Sequence, residues 1–379
     1  MKSKLIRITT VPISLEKLLE NQLTFMNKFY DVTAISSDKV RLEKFGKDNK
    51  VKVFNVEMSR VISPYKDFKS LFKMYLFFLK EKPQIVHSHT PKAGTIGILA
   101  AKLAGVPHRL HTVAGLPLLE AKGFKRILLN FVEKITYSAA TKVFPNSFGL
   151  KDIILREKFC SKDKLQVIGN GSSNGINTEY FDISKLNKNE LQKLRNDLSI
   201  SDEDFVFVFV GRIVSDKGIN ELLYAFNKLT YSNVKLLLVG PKEPELDPLT
   251  NASEQLIIKN KNIIEVGYQS DIRNYLAISS ALVFPSYREG FPNVVLQAGS
   301  FGLPSIVSDI NGCNEIIING YNGIIVPVKN KNILYESMIK LIEDKVLYAT
   351  LTSNSRQRIV ENYDQLVMWD KILTVYKSL

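Results

Sequence analysis

Short, almost wholly apolar runs recur along the chain, with room for one helix between most neighbours. In the first half they fall at 5–9, 32–36, 51–54, 84–87, 109–113, 142–144 and 165–168; in the second at Phe205–Val210, Val234–Val239, 263–266, Ala281–Phe284, Ser305–Ser308 and 324–326. Unbroken apolar runs of this length suit strands covered on both faces, and their alternation with helices builds a parallel sheet. The spacing also predicts an amphipathic helix over 15–29, helices over 333–343 and 346–362, and a last helix over Gln365–Lys377. The last would bury Leu366, Met368, Trp369, Ile372, Leu373 and Tyr376. The class is α/β, with the strand–helix pattern laid out twice.

Between the two series the composition changes. Residues 169–175 are rich in Gly, Ser and Asn, and 187–204 are polar and charged. A chain of 379 residues exceeds what one core usually serves. The expected division is a first domain over 1–180, a second over 181–363, and a closing helical segment over 364–379.

Two stretches carry chemistry. Residues 284–298, F-P-S-Y-R-E-G-F-P-N-V-V-L-Q-A, join a strand end, a tight turn and a helix start. Pro292 suits the first helical position, which leaves the amides of Asn293, Val294 and Val295 without intrahelical partners. Such a tip, with the helix dipole behind it, accepts an anion such as a diphosphate. Glu289 stands just ahead of it, where open α/β sheets bind their ligands. Phe291, Val294, Val295 and Leu296 read mainly as core. The second stretch is Gly211 to Gly218, where a strand runs into a turn bearing Arg212 and Lys217. Glycine at a strand end lets a ligand approach the backbone. Two cations across the turn suit a diphosphate, each charge-assisted bond contributing roughly 1.5–3 kcal/mol. The acidic cluster Asp202, Glu203, Asp204 reads as a solvated turn rather than a metal site.

Charge changes the picture for the first half only. Residues 1–185 hold 31 Lys and Arg against 16 Asp and Glu, a net +15; residues 186–379 hold 20 against 22, a net −2. Such asymmetry points to a polyanionic partner, nucleic acid or an anionic membrane surface. The membrane is favoured by the interleaving of Lys66, Lys69, Lys73 and Lys80 with Phe68, Leu71, Phe72, Tyr75, Leu76, Phe77 and Phe78. Lys122, Lys125, Arg126 and Lys134 flank Phe124, Ile127, Leu128, Leu129 and Phe131 in the same way. No signal-peptide core or bilayer-length apolar run is present. The two cysteines, Cys160 and Cys313, lack metal-ligand or redox spacing and read as buried free thiols, which fits a reducing cytoplasm.

Taken together, G-R-x4-K-G at 211–218 and E-G-F-P-N-V-V-L-Q-A from Glu289 resemble the retaining glycosyltransferases of family 4. The likeness extends to I-V-H-S-H-T-P-K-A-G at 85–94, N-G-S-S-N-G-I-N-T-E-Y-F at 170–181 and S-D-I-N-G-C-N-E-I at 308–316. The resemblance implies a GT-B fold, two Rossmann-like parallel-sheet domains facing each other across a cleft, with the last helix crossing back to the first domain. It implies a nucleotide-sugar donor on the second domain, an acceptor on the first, and no metal or other cofactor. Arg212 and Lys217 would neutralise the diphosphate, and Glu289 would contact the transferred sugar. Gly211, Gly290, Phe291, Pro292, Asn293, Val294, Ser14 and Tyr268 would complete the substrate-binding set.

The chain departs from the family pattern in places. Gln297 stands where a second Glu usually holds the ribose, which weakens one bond by about 1 kcal/mol. Ala114 replaces a frequent His before Gly115, and His111 would lie on the other face of that strand. His89, which shares a face with His87, is then the nearest catalytic candidate on the acceptor side. The loop holding Thr10 to Ser14 lacks the usual glycines. The expected protein is a peripheral enzyme on the cytoplasmic face of a bacterial membrane. It would move a hexose or N-acetylhexosamine, with retention, from a UDP-sugar to a lipid-linked saccharide in capsule or O-antigen synthesis. The alternatives are a UDP-sugar epimerase of the same fold and a non-catalytic nucleotide-sugar-binding protein; nucleic acid is not an expected partner.

Overall fold

The structure is a computed structural model describing residues 2–59, 63–116, 118 and 121–379. It divides into two units, Met1–Asn174 with Leu366–Leu379, and Gly175–Gln365. Residues 175–180 go with the second unit: the Ile176 amide donates to the Tyr363 carbonyl at 2.8 Å, and Thr178 Oγ1 donates to Asp364 Oδ2 at 2.5 Å.

The first unit holds β1 (Lys4–Ile8), β2 (Asp31–Ser36), β3 (Lys52–Asn55), β4 (Ile85–Ser88), β5 (His108–Val113) and β6 (Lys142–Pro145). All pair in parallel, in the order β3-β2-β1-β4-β5-β6. A core lies on each face. One gathers Ile6, Ile8, Val86, Met74, Phe78 and the helix Pro91–Leu103; the other gathers Leu5, Val32, Ile85, Leu110 and Phe144 with Met368, Ile372, Leu373 and Tyr376 of the last helix. The second unit holds β7 (Phe205–Val210), β8 (Val234–Val239), β9 (Ile263–Gly267), β10 (Ala281–Phe284), β11 (Ser305–Ser308) and β12 (Gly323–Val326). These are again parallel, in the order β12-β11-β10-β7-β8-β9.

In each sheet the strand order reverses once, between β1 and β4 and between β10 and β7. Open α/β sheets bind ligands just beyond the carboxyl ends of the two strands at such a reversal. The loops after β7 and β10 are the two stretches singled out from sequence.

Several expectations need correction. Residues 165–168 form no strand; Leu165 makes a single bridge to Val143 after a turn at Lys162–Lys164, and the sheet ends at β6. The helix expected over 15–29 begins earlier, at Pro12, widens over Leu15–Leu19, and breaks at Glu20, whose φ is 45°, before resuming over Gln22–Met26. Leu15, Leu19, Leu23 and Met26 stay buried across the break, so the apolar side is kept while the helical path is not. Ser14 therefore lies in a helical turn rather than a loop. The last helix runs over Gln365–Lys377 as the periodicity predicts, but Leu366 is exposed.

Candidate active site

The loop after β7 turns through Ser215–Lys217, and Gly218 then opens the helix Ile219–Asn227. Gly218 has φ 71°, and a Cβ there would stand 2.2 Å from the Pro285 carbonyl oxygen, so the loops after β7 and β10 touch backbone to backbone. Only glycine permits that conformation and approach together. Across this contact Lys217 Nζ meets Glu289 Oε1 at 2.5 Å, with both side chains largely shielded from water. Ser286, fully buried, places its hydroxyl 3.0 Å from the same carboxylate oxygen and 3.1 Å from the Arg288 carbonyl.

The loop after β11 clasps Glu289 from its other side. Asn311 Nδ2 donates to the Glu289 carbonyl and, at 3.3 Å, to that of Gly290. Gly312, with φ 78°, leaves no room for a Cβ beside the Gly290 oxygen at 2.6 Å. The carboxylate is therefore fixed through its backbone as well as its side chain.

The helix after Gly290 runs over Asn293–Ser300, with Pro292 as its capping residue rather than its first helical one. The Val295 amide bonds the Pro292 carbonyl at 3.2 Å. Of the three amides expected at the tip, Asn293 and Val294 thus precede the first bond and Val295 does not. Phe291 and Pro292 are buried, Asn293 is exposed, and Val294 and Gln297 are half-buried, the last one turn down the helix.

Arg212 is close by in sequence but is engaged elsewhere: its Nη1 lies 3.1 Å from Glu243 Oε2, on the loop after β8. That loop also holds the β7 turn, since Asp247 Oδ2 accepts from the Asp216 amide at 2.6 Å. Tyr268, just past β9, is exposed. Cys313 is buried; burial first, then the nearby Glu289 charge, raises its thiol well above the ordinary value, so it stays protonated. Cys160 is a free, half-buried thiol. Among the described residues no three His, Cys, Asp or Glu side chains gather as a metal site.

Sequence reasoning found Lys217, Glu289 and Arg212 but missed Glu243, Ser286, Asn311 and the pair Asp216–Arg288. Asn311 lies inside the 308–316 motif, a signal that was available. The carboxylate that Arg212 uses, Glu243, had no marker.

In the first unit the histidines separate into distinct roles. His87 Nδ1 and the Tyr376 hydroxyl are 2.6 Å apart, and His87 Nε2 and Thr112 Oγ1 are 2.8 Å apart. His111 bonds Ser88 Oγ at 2.8 Å. His89 sits against His87, ring centroids 4.2 Å apart, beside a narrow cavity lined also by Asn146 and Ser173. It is 2% exposed, and neither ring nitrogen has a hydrogen-bond partner among the described residues. Burial, then the charge of Arg7, lowers its pKa well below the usual value and keeps it neutral.

On the same unit, the helix Pro64–Glu81 exposes Tyr65, Phe68, Phe72, Leu76 and Leu79 while burying Met74 and Phe78; Phe77 stacks on Phe54 at 3.9 Å. The helix Gly123–Ala139 exposes Phe124, Ile127 and Phe131. Both pack against the helix Pro91–Leu103. Among the described residues no helix is long and apolar enough to cross a membrane.

Comparison with known proteins bears on this arrangement. Residues 191–362 match the family described as glycosyl transferases group 1, and residues 18–147 match the family described as glycosyl transferase 4-like. The chain is 36% identical over 378 residues to the capsular polysaccharide biosynthesis glycosyltransferase CapM of Staphylococcus aureus, covering 99% of this chain and 97% of that one. It is 31% identical to the UDP-Gal:alpha-D-GlcNAc-diphosphoundecaprenol alpha-1,3-galactosyltransferase of Escherichia coli, covering 92% and 89%. Among solved structures, Anabaena Alr3699/HepE in complex with UDP superposes with a TM-score of 0.83, at 18% identity and full coverage of both chains.

Proposed function

The chain belongs to the family 4 glycosyltransferases of GT-B fold, and from that premise we propose that it transfers a hexose or N-acetylhexosamine, with retention, from a UDP-sugar to a lipid-linked saccharide. The observation that carries this reading is the meeting of Lys217 and Glu289 where β7 and β10 run side by side. One cation for a phosphate and one carboxylate for a sugar hydroxyl then stand within hydrogen-bond distance of each other. The E. coli relative, named for a UDP-sugar and a diphosphoundecaprenol-linked acceptor, supports the choice of donor and acceptor.

In this reading the donor diphosphate engages Lys217, whose three N–H donors let it turn toward a phosphate oxygen as its hold on Glu289 loosens. Arg212 turns from Glu243 toward the phosphates. The two cations stabilise the departing nucleoside diphosphate, the work a metal ion does in other transferases. Asn293 and Val294 offer amides to the same phosphates, Glu289 orients the sugar, and Gln297 accepts from the ribose. The acceptor hydroxyl attacks C1 from the side the diphosphate leaves; the bond from C1 to the diphosphate oxygen breaks, the acceptor proton passes to that departing phosphate oxygen, and alignment contributes most of the remaining acceleration. No proton-transfer step is assigned to His89, which is buried and neutral.

The basic, aromatic faces of Pro64–Glu81 and Gly123–Ala139 support attachment to the cytoplasmic leaflet, where a lipid-linked acceptor and a cytoplasmic donor meet. The test is incubation of the protein with labelled UDP-sugars and a polyprenyl-diphosphate-linked acceptor. A labelled glycolipid supports the proposal. An isomerised sugar would make the protein an epimerase, and UDP binding with neither product would make it a binding protein.

A further inference from the structure

Two charge pairs of opposite sense lie side by side between the loops after β7 and β10. One loop presents Asp216 then Lys217; the other presents Arg288 then Glu289. Lys217 meets Glu289 at 2.5 Å, and Arg288 Nη2 meets Asp216 Oδ2 at 2.8 Å. The Tyr287 amide adds a backbone tie, donating to the Asp216 carbonyl at 2.9 Å. Asp216 is itself held from behind, its amide donating to Asp247 Oδ2 at 2.6 Å.

The pairs differ in setting. The Lys217 and Glu289 side chains are 14% and 19% exposed, whereas Arg288 is 50% exposed and Asp216 21%. Asp216 is about as shielded as Glu289, but its partner Arg288 is half in water, and an ion pair with one end so exposed contributes little to stability, so the outer pair is poorly explained as a fold-stabilising contact alone. It is better explained by what happens to the inner one. An arriving diphosphate competes with Glu289 for Lys217, which loosens the inner tie as the carboxylate is needed at the sugar.

We propose that Asp216 and Arg288 are positioning residues that keep the Glu289 loop in register with the Lys217 loop while the donor occupies Lys217. The inference rests on the donor-site reading given above. It implies an effect on turnover rather than on nucleotide affinity, because neither residue of the outer pair is asked to touch phosphate. Small losses of alignment between reacting groups are costly in rate.

The experiment is a double-mutant cycle with Asp216→Asn, Arg288→Gln, both together, and the exchanged pair Asp216→Arg with Arg288→Asp. UDP affinity is measured by calorimetry. Turnover is measured as UDP release from UDP-glucose, UDP-galactose and UDP-N-acetylglucosamine in the presence of a polyprenyl-diphosphate-linked saccharide acceptor. Each single change is expected to lower kcat about tenfold while UDP Kd stays within about threefold, with the double no worse than either single. Arg288→Lys and the exchanged pair should both recover turnover, which a variant that merely folds poorly would not do. Additive effects, or wild-type turnover in the singles, would overturn the proposal. So would weakened UDP binding in Arg288→Gln alone, which would make Arg288 a direct phosphate ligand. A wild-type protein that neither binds UDP nor releases it would instead sink the donor-site reading, and this inference with it.

Discussion

The Lys217 ammonium and the Glu289 carboxylate, 72 residues apart in sequence, meet at 2.5 Å beyond the carboxyl ends of β7 and β10. Removing either partner alone leaves a mostly shielded charge without its counter-ion. Lys217→Met and Glu289→Gln are each expected to cost about 2 kcal/mol of unfolding free energy, and the double variant less than the two combined. All three should lose at least about a hundredfold in kcat. Urea unfolding and initial-rate measurements check this.

Arg212 reaches Glu243 rather than Lys217's partner. Glu243→Gln frees the guanidinium and should tighten UDP binding a few-fold at low salt. Arg212→Ala should weaken it by about ten- to a hundredfold, one charge-assisted bond's worth. Calorimetric titration with UDP distinguishes the two directions.

His87, His89 and His111 are buried with depressed pKa values, His111 falling from the usual 6.5 to about 4 through desolvation. Their surroundings add Arg7 and Tyr376 but, among the described residues, no carboxylate bonded to any of the three rings. Below about pH 6.5 the unfolded chain takes up protons that the folded chain refuses. Stability should thus be complete above pH 6.5 and fall steadily toward pH 4, His111 alone accounting for about 3 kcal/mol. Urea midpoints across that range test it, and His111→Asn should flatten part of the decline.

Arg7 is wholly buried, and its hydrogen-bond partners are neutral: the Tyr376 hydroxyl at 2.8 Å and Gln22 Oε1 at 2.5 Å. Burial lowers its pKa. Tyr376→Phe removes an acceptor from a buried cation and should cost about 2 kcal/mol, more than the loss of an ordinary hydroxyl. Comparing it with Tyr376→Phe in an Arg7→Met background isolates the contribution.

Phe68 and Phe124 are 69% and 79% exposed. Replacing both with Ser should leave the unfolding free energy within about 0.5 kcal/mol for each site and reduce sedimentation with anionic liposomes at low salt. Unchanged sedimentation would remove these helix faces from the membrane account.

Most strands were legible because a strand covered on both faces must be apolar throughout, and Phe205–Val210 or Ala281–Phe284 has no other plausible use. Residues 165–168 share that composition but follow the last strand of the sheet and make one bridge only. The break at Glu20 was hidden because the buried leucines around it keep a helical spacing. Within the site, residues marked by a glycine or proline beside them could be picked out. Asp216, Arg288 and Arg212's partner Glu243 could not, since they look, in sequence, like ordinary surface charge, and each pair joins different loops. Sequence reasoning puts His89 forward over His87, and Tyr376 beside His87 shows that the neighbour has a structural role of its own.

The last helix supplies Met368, Ile372, Leu373 and Tyr376 to a core whose other members lie within the first 174 residues. During synthesis, β1 and Arg7 therefore leave the ribosome long before the residues that cover them, and the first unit stays open while the whole second unit is being made. A stop codon at residue 366 would spare the second unit and leave the earlier-made one without its cover.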